Sequence, residues 1–385
     1  MVKQTPKTTK ISQDLTIDQI NLYPDQVIGY EEYLEIIHQL KRVPQLEVYK
    51  IANSYLGREI YAIELVPQAA QTGYVSRTKR LTNYPSEIIN ARHHANEVSG
   101  TNGAFLLLKE LLTDSKYPGI ADRLNLVLVP LENVDGAAIH YELQKENPEW
   151  KLHVARFNGV GKEFYYEYFN LDTNYPEAMG MTRLYEQFVP DVMVDNHGVP
   201  THEWEQPFSG YTSPSYKGFW LPRSLLYGYF WVPTNEEYSS NIVLNKKIED
   251  AIAEAIGAVP EMKHWNEEWA AQFETYAHKW LPKLFPAEYY KEMINYWIGF
   301  AADPQHRYPS IRFPWLTSVA YTSEVADETA QGDYLTLCAQ AHVVHDLATI
   351  DLLLAATMLY QTSTVLTTEE IAICHTRLRP IIATT

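Results

Sequence analysis

The chain has 385 residues, 46% of them hydrophobic, and a formal net charge of −17. Such a composition supports a sizeable core and disfavours nucleic acid as a partner, because phosphate neutralisation needs clustered Lys and Arg. Its two cysteines, Cys338 and Cys374, include no CxxC pair, so a disulfide framework and an all-cysteine zinc site are excluded.

A reducing compartment fits this cysteine usage. The N-terminal MVKQTPKTTKISQDL carries no apolar run, so no signal peptide is expected and a cytoplasmic location is. Residues 1–15 read as a disordered tail, and 16–385 as one catalytic domain. YEEYLEIIHQLKR (30–42) has helical spacing. LEVYKIA and REIYAIELV, joined by NSYLG, read as a hairpin. SEIINA is a short strand that runs into ARHHANE, and VSGTNGAFLLLKELL reads as an amphipathic helix. LNLVLVPL and DVMVDN are continuous apolar runs, as expected of strands buried on both faces.

Alternating strands and helices predict an α/β fold with a mixed, mostly parallel central sheet flanked by helices. Residues 201–310 are rich in aromatic residues and read as core and inserted structure, with some rings lining a cleft. Helices are expected over 240–257, 263–280 and 333–361. LATIDLLLAATMLY within the last carries Asp351 and reads as a buried helix, not a membrane span.

His94 and Glu97 sit where a strand meets a helix, the end of an open α/β sheet at which ligands bind. A hydrolytic zinc ion takes three protein ligands and keeps a fourth position for water. His197, directly after the DVMVDN strand, is a chemically sensible third. His93 is the neighbour most easily mistaken for the ligand; the two-residue gap between His94 and Glu97 lets both turn inward from a loop. Taken alone, Glu97 could equally be a first-turn acid favoured by the helix dipole. A zinc hydrolase also needs a general base. Glu324, at the end of SVAYTSEV, is the candidate and Glu328 its competitor.

In this order the pieces resemble the zinc carboxypeptidases of the carboxypeptidase A type. NSYLGREIYAIEL is similar to the family's early hairpin and HANE to its metal pair. PLENVDGA is similar to its Asn-Pro-Asp-Gly segment, with Val134 in place of proline. LDTNYP, DNHG and YTSEV follow as the substrate segment, third-ligand strand and catalytic-glutamate strand. The resemblance implies an α/β/α sandwich with one zinc per chain. His94, Glu97 and His197 would be its ligands, and Glu324 the general base and then proton donor. It also implies a cation beside the developing oxyanion, for which Lys151 and Arg156 are the nearby residues.

The departure is at LDTNYP. Thr173 stands where the family carries the arginine that grips a terminal carboxylate, while Asn174 is retained. Arg183, Arg223 or Arg312 could replace it from another loop. His202, in THEWE, is a candidate second-shell or substrate contact. His342 and His345-Asp346 share a helix face but read as structural. No GxSxG, P-loop or GxGxxG motif occurs.

Three functions follow: a zinc-dependent peptide or N-acyl amino acid hydrolase, a zinc deacylase or amidase acting on a small N-acyl amino acid or cell-wall peptide, and an inactive zinc-binding module.

Overall fold

The computed structural model describes residues 14–68, 76–149, 154, 156–198, 227–275, 279, 289–290, 293–294, 296–368, 371–378 and 382–383. The expected tail over residues 1–13, Lys151, His202, Arg223 and the aromatic run before residue 227 lie outside these residues.

The expected hairpin is β1 (Leu46–Asn53) and β2 (Glu59–Leu65), paired antiparallel from Leu46 opposite Leu65 to Asn53 opposite Glu59. Gly57 in its turn has φ +91°, a conformation open to a residue without Cβ. β3 (Ser86–Ala91), β4 (Asn125–Val129), β5 (Val192–Gly198) and β8 (Val319–Val325) are buried along their whole lengths. β6 (Tyr227–Pro233) and β7 (Tyr296–Phe300) complete an eight-stranded sheet in the order β1-β2-β4-β3-β5-β8-β6-β7.

The central four strands are all parallel to one another. Antiparallel pairings bring in β1, β2 and β6, and β7 then runs parallel to β6. The mixed, mostly parallel sheet read from the sequence is therefore the observed one. The aromatic region expected as core and inserted structure contributes two strands, β6 and β7, to the far edge of this sheet. There the Phe230 ring stacks on Tyr321 of β8 at 5.0 Å.

Helices cover both faces. α1 (Tyr30–Leu40), α2 (Arg77–Asn83) and α3 (Ser99–Thr113) precede α4 (Val134–Glu146) and α5 (Pro176–Phe188). α6 (Ser239–Gly257), α7 (Pro260–Phe273), the short α8 (Pro309–Arg312) and α9 (Gly332–Leu354) follow.

Successive strand residues face opposite sides, and β3 displays this directly. Ser86 Oγ donates to the Phe188 carbonyl of α5, while Glu87 faces the field of Asp346 on α9. α3, α6 and α9 pack as one layer and α5 lies on β1 and β3. By length and composition α9 could cross a membrane, yet 67% of its most apolar window is buried here. It ends at Leu354, not at 361 as expected. The Thr- and Val-rich run Tyr360–Leu366 that follows pairs antiparallel with Ile371–Arg377, as β-branched residues favour.

Asp135, fully buried in the first turn of α4, fastens the hairpin to the sheet's active end. Its carboxylate accepts from Ser54 Oγ at 2.7 Å, from the Leu56 amide at 2.9 Å and from Arg58 Nη1 at 2.9 Å. This accounts for the Ser, Gly-Arg spacing of the NSYLGRE turn. Asp135→Ala leaves those donors unmatched beside a half-exposed guanidinium. It should lower unfolding free energy by about 2–3 kcal/mol, read as a shift in the urea midpoint.

Candidate metal centre

β3 ends at Ala91, and the chain then bends through Arg92, which has φ +54° although it is not glycine. That left-handed conformation costs a non-glycine residue about 1–2 kcal/mol. The fully buried Arg92 side chain holds it in place. Its Nε donates to the Ala95 carbonyl at 3.1 Å and its Nη1 to the Ile28 carbonyl at 2.8 Å. Asn133, the N-cap of α4, donates to the His93 carbonyl at 3.0 Å while its Oδ1 accepts from the Gly136 amide at 2.9 Å. Beyond the bend, both the amide and the hydroxyl of Ser99 donate to Asp327 Oδ2 at 2.6 Å. α3 starts at Ser99 with no acid in its first turn, so Glu97 precedes the helix and the first-turn-acid reading does not hold.

The pinned loop and β5 bring together the three residues read as ligands. His94 Nδ1 is 2.6 Å from Glu97 Oε1, His197 Nδ1 is 3.1 Å from Glu97 Oε2, and the two Nδ1 atoms are 3.1 Å apart. All three residues are buried. Their donor atoms lie within 4.8 Å of one another, a group able to hold a metal ion. Glu97 Oε2 is buried without a hydrogen-bond partner among the described residues. Two imidazole nitrogens and an under-bonded carboxylate oxygen facing one small volume fit a zinc ion with an open position.

The other imidazole nitrogens are each matched with an acid. His94 Nε2 meets Glu163 Oε2 at 3.0 Å, and His197 Nε2 lies 2.8 Å from Asp195 Oδ2 without hydrogen-bond alignment. Such carboxylates turn the ring so that its opposite nitrogen faces the metal. His93 is engaged on both nitrogens, by Glu132 Oε2 at 2.9 Å and Glu163 Oε1 at 2.7 Å. A second group of possible ligand atoms, from His93, His94 and Glu163, also lies close together. The pairing of His93 on both sides and of His94 through Nε2 favours the first group.

Asn90 Nδ2 closes the arrangement by donating to Glu132 Oε2 at 2.5 Å and to Asp195 Oδ1 at 3.0 Å. The result is a ring in which acid and imidazole alternate: Glu132, His93, Glu163, His94, Glu97, His197 and Asp195. Burial disfavours a charged imidazole, but Glu132 and Glu163 outweigh it and raise His93 to about 10. Burial likewise works against a charged Glu97, and His94 and His197 overcome it to hold the carboxyl well below the usual range.

Glu324 is the registered neighbour of His197 across the parallel β5–β8 pair. Burial pushes its carboxyl well above the usual range; His197 and Arg156 draw it back, whereas Glu97 and Asp195 reinforce it. Arg156 is thus within electrostatic reach of Glu324. The competing Glu328 instead accepts from Asn96 Nδ2 at 2.8 Å. Thr173 and Asn174 line a groove of about 420 Å³ with Ala52, Asn53, Met179 and Arg183, and none of the three candidate ligands lines it.

Sequence reasoning missed Glu132, Glu163 and Asp195. Asp195 had a signal, because it lies two residues before His197 on one strand and therefore on the same face. Glu163 comes from a loop with no local pattern.

Residues 33–213 match the family model described as Zinc carboxypeptidase. The sheet and its helices are likewise similar in fold to zinc carboxypeptidases. A carboxypeptidase A from Helicoverpa armigera is similar in fold, with 12% identity and a TM-score of 0.52 over 88% of this chain and 77% of that one. Thrombin activatable fibrinolysis inhibitor gives 11% and 0.51 over 87% and 76%. A metallo-carboxypeptidase from Burkholderia cenocepacia gives 16% and 0.50 over 83% and 69%. No curated protein matches the sequence.

Gly198 shows how tightly this centre is built. A Cβ there would meet Asp327 Oδ1 at 2.1 Å and Glu97 Cγ at 2.8 Å. Gly198→Ala must therefore push Glu97 or Asp327 aside. It should cost about 1–3 kcal/mol, measured by thermal unfolding, and weaken metal retention in dialysis.

Proposed function

We propose that the protein is a zinc-dependent hydrolase of amide bonds, acting on peptides or N-acyl amino acids, with one zinc per chain held by His94, Glu97 and His197. The observation that carries this reading is the convergence of both Nδ1 atoms and the Glu97 carboxylate, with Glu324 directly across the strand pair from His197. A zinc ion held by these residues would supply Lewis-acid chemistry for the scissile carbonyl and the attacking water. Glu324 accepts the proton of the attacking water and passes it to the leaving amine. Arg156, whose field reaches Glu324, is the described cation that would stabilise the developing oxyanion. Glu163 would hold the His94 imidazole in the tautomer that leaves Nδ1 free, and Asp195 lies beside His197 Nε2 to favour the same tautomer there.

A second reading, an amidase or deacylase with no need for a substrate carboxylate, is favoured by Thr173. That residue lacks a cationic side chain and lines a groove apart from the three candidate ligands. An inactive zinc-binding module is disfavoured by the position of Glu324, which among the described residues has no structural pairing comparable to that of Glu328 with Asn96.

Elemental analysis of purified protein should find about one zinc per chain, and little in a folded His197→Ala variant. A folded wild type that neither carries nor takes up zinc would end the hydrolase reading.

Glu324→Gln should retain zinc and lose at least about 100-fold in turnover of a blocked dipeptide. Unchanged turnover would remove Glu324 from the base role and move attention to Glu328.

A further inference from the structure

After α9 the chain leaves the body as a two-stranded ribbon that the metal centre does not use. Its strands, Tyr360–Leu366 and Ile371–Arg377, run from Tyr360 opposite Arg377 to Leu366 opposite Ile371, and among the described residues they pair only with each other. Every residue of the first strand is exposed. A lone two-stranded hairpin is at best marginally stable in water.

The base of this ribbon is fastened. Tyr360 Oη donates to the Asn83 carbonyl at 2.8 Å. Arg377 Nη1 donates to the Leu81 carbonyl at 2.9 Å and to the Tyr84 carbonyl at 3.1 Å, and its Nη2 donates to Asp191 Oδ2. The same Asp191 oxygen accepts from the Ser86 amide that opens β3, at 2.9 Å. The arm is therefore rooted at the starts of the parallel strands, the end of the sheet opposite the metal centre.

Open sheet edges are normally blunted by Lys, inward charges or Pro. Neither YQTSTVL nor IAICHTR contains Lys, Asp, Glu or Pro. The charge of Arg377 is already met by Asp191. On a chain of net charge −17, this is a surface where a second copy meets little repulsion.

The exposed apolar side chains gather at the two ends of the ribbon. Leu366 and Ile371 at the tip are 72% and 73% exposed, and Tyr84, Leu359 and Leu378 are exposed at the base. Leu366, Ile371, Tyr360 and Arg377 share one face, because positions two apart and directly opposed residues point the same way. Arg377 turns that face toward the body, so the tip pair overhangs with nothing beneath it among the described residues. An antiparallel partner of the same sequence would bring each tip to the other's base.

We propose that the ribbon is a dimerisation arm whose partner is a second copy of this chain. The Ile371–Arg377 edges pair antiparallel about a two-fold axis, giving a four-stranded sheet. Full overlap of a seven-residue strand puts the axis at its middle residue, Cys374. Ile371 of one copy then stands opposite Arg377 of the other on the body-facing side, and the tip pair covers the base near Tyr84 and Leu378. The contact is self-complementary, as a two-fold interface must be. The two seven-residue strands with Tyr84, Leu359 and Leu378 come close to the about 20–30 residues a side of a specific interface. Both metal centres stay open.

The test is sedimentation equilibrium of the full chain under reducing conditions, over a wide concentration range. It should give twice the chain mass of 44.4 kDa. A variant carrying Leu366→Lys and Ile371→Lys should raise the dissociation constant at least about tenfold, with an unchanged thermal midpoint. Exposed Cys374 supplies a second readout, because directly opposed residues of an antiparallel pair lie within disulfide reach and Cys338 is buried. Mild oxidation should cross-link the wild type into dimers and leave Cys374→Ser uncross-linked. A monomer at every concentration overturns the proposal, as does a dimer that the double variant leaves intact. A dimer that Cys374 does not cross-link overturns the pairing along Ile371–Arg377.

Discussion

The constraint on which the rest of the structure depends is the crowding of acids at one end of the sheet. Glu97, Glu132, Asp195 and Glu324 are buried together, with Glu163 at their border. Isolated buried carboxylates are too costly to keep charged, and carboxylates this close repel one another. The chain answers by inserting an imidazole between each pair of acids in the ring and closing it with the Asn90 amide. No member can be removed without stranding its neighbours. The one arc in which a carboxylate oxygen is under-bonded and two ring nitrogens face each other is His94, Glu97 and His197. The ring thus directs a cation to that arc and supports every imidazole from behind.

The alternation of a strand makes such a ring possible. On β5, Asp195 and His197 face the ring, while Asn196 between them points the other way and donates to Asp346 of α9 at 3.0 Å. On β8, Glu324 joins the ring side and Ser323 hydrogen-bonds to Asn196 Oδ1 at 3.0 Å. His342 continues this second network to Ser99 Oγ at 3.0 Å, and Ser99 is held by Asp327 next to Glu97. The histidines of α9 are therefore structural in a specific sense. They tie the back of β5 and β8 to the start of α3, so the two faces of two strands support one candidate site. A purely apolar back face would pack as well, but it would not fix the relative height of β5, β8 and the Glu97 loop.

Features with a period were legible in the sequence; those built by tertiary contact were not. The hairpin, β3, β4, β5 and β8 were visible as apolar or alternating runs, and α3 and α6 as amphipathic ones. The candidate ligands were visible because each sits at the end of such a run, where side chains of an open sheet converge. Arg156 and Lys151 could not be separated by sequence, since NPEWKLHVARFN carries no hydrophobic period. Glu163 was invisible for the same reason. The end of α9 was misplaced because LLLAATMLY continues a helical pattern across a boundary that pairing of Tyr360–Leu366 with its partner strand decides. Thr173 reads as a departure from the resembled pattern, but a missing side chain says nothing about what another loop supplies.

That departure separates two layers of the site. Strand ends and the ring fix the chemistry, because their side chains are locked by register and by mutual pairing. Specificity is left to loops, which can change without unpairing a buried charge. Arg156, the cation whose field reaches Glu324, comes from the segment after α4 and is not a member of the ring. Thr173 and Asn174 line a groove beside α5 that none of the three candidate ligands lines, so side chains there can vary without unpairing any charge of the ring.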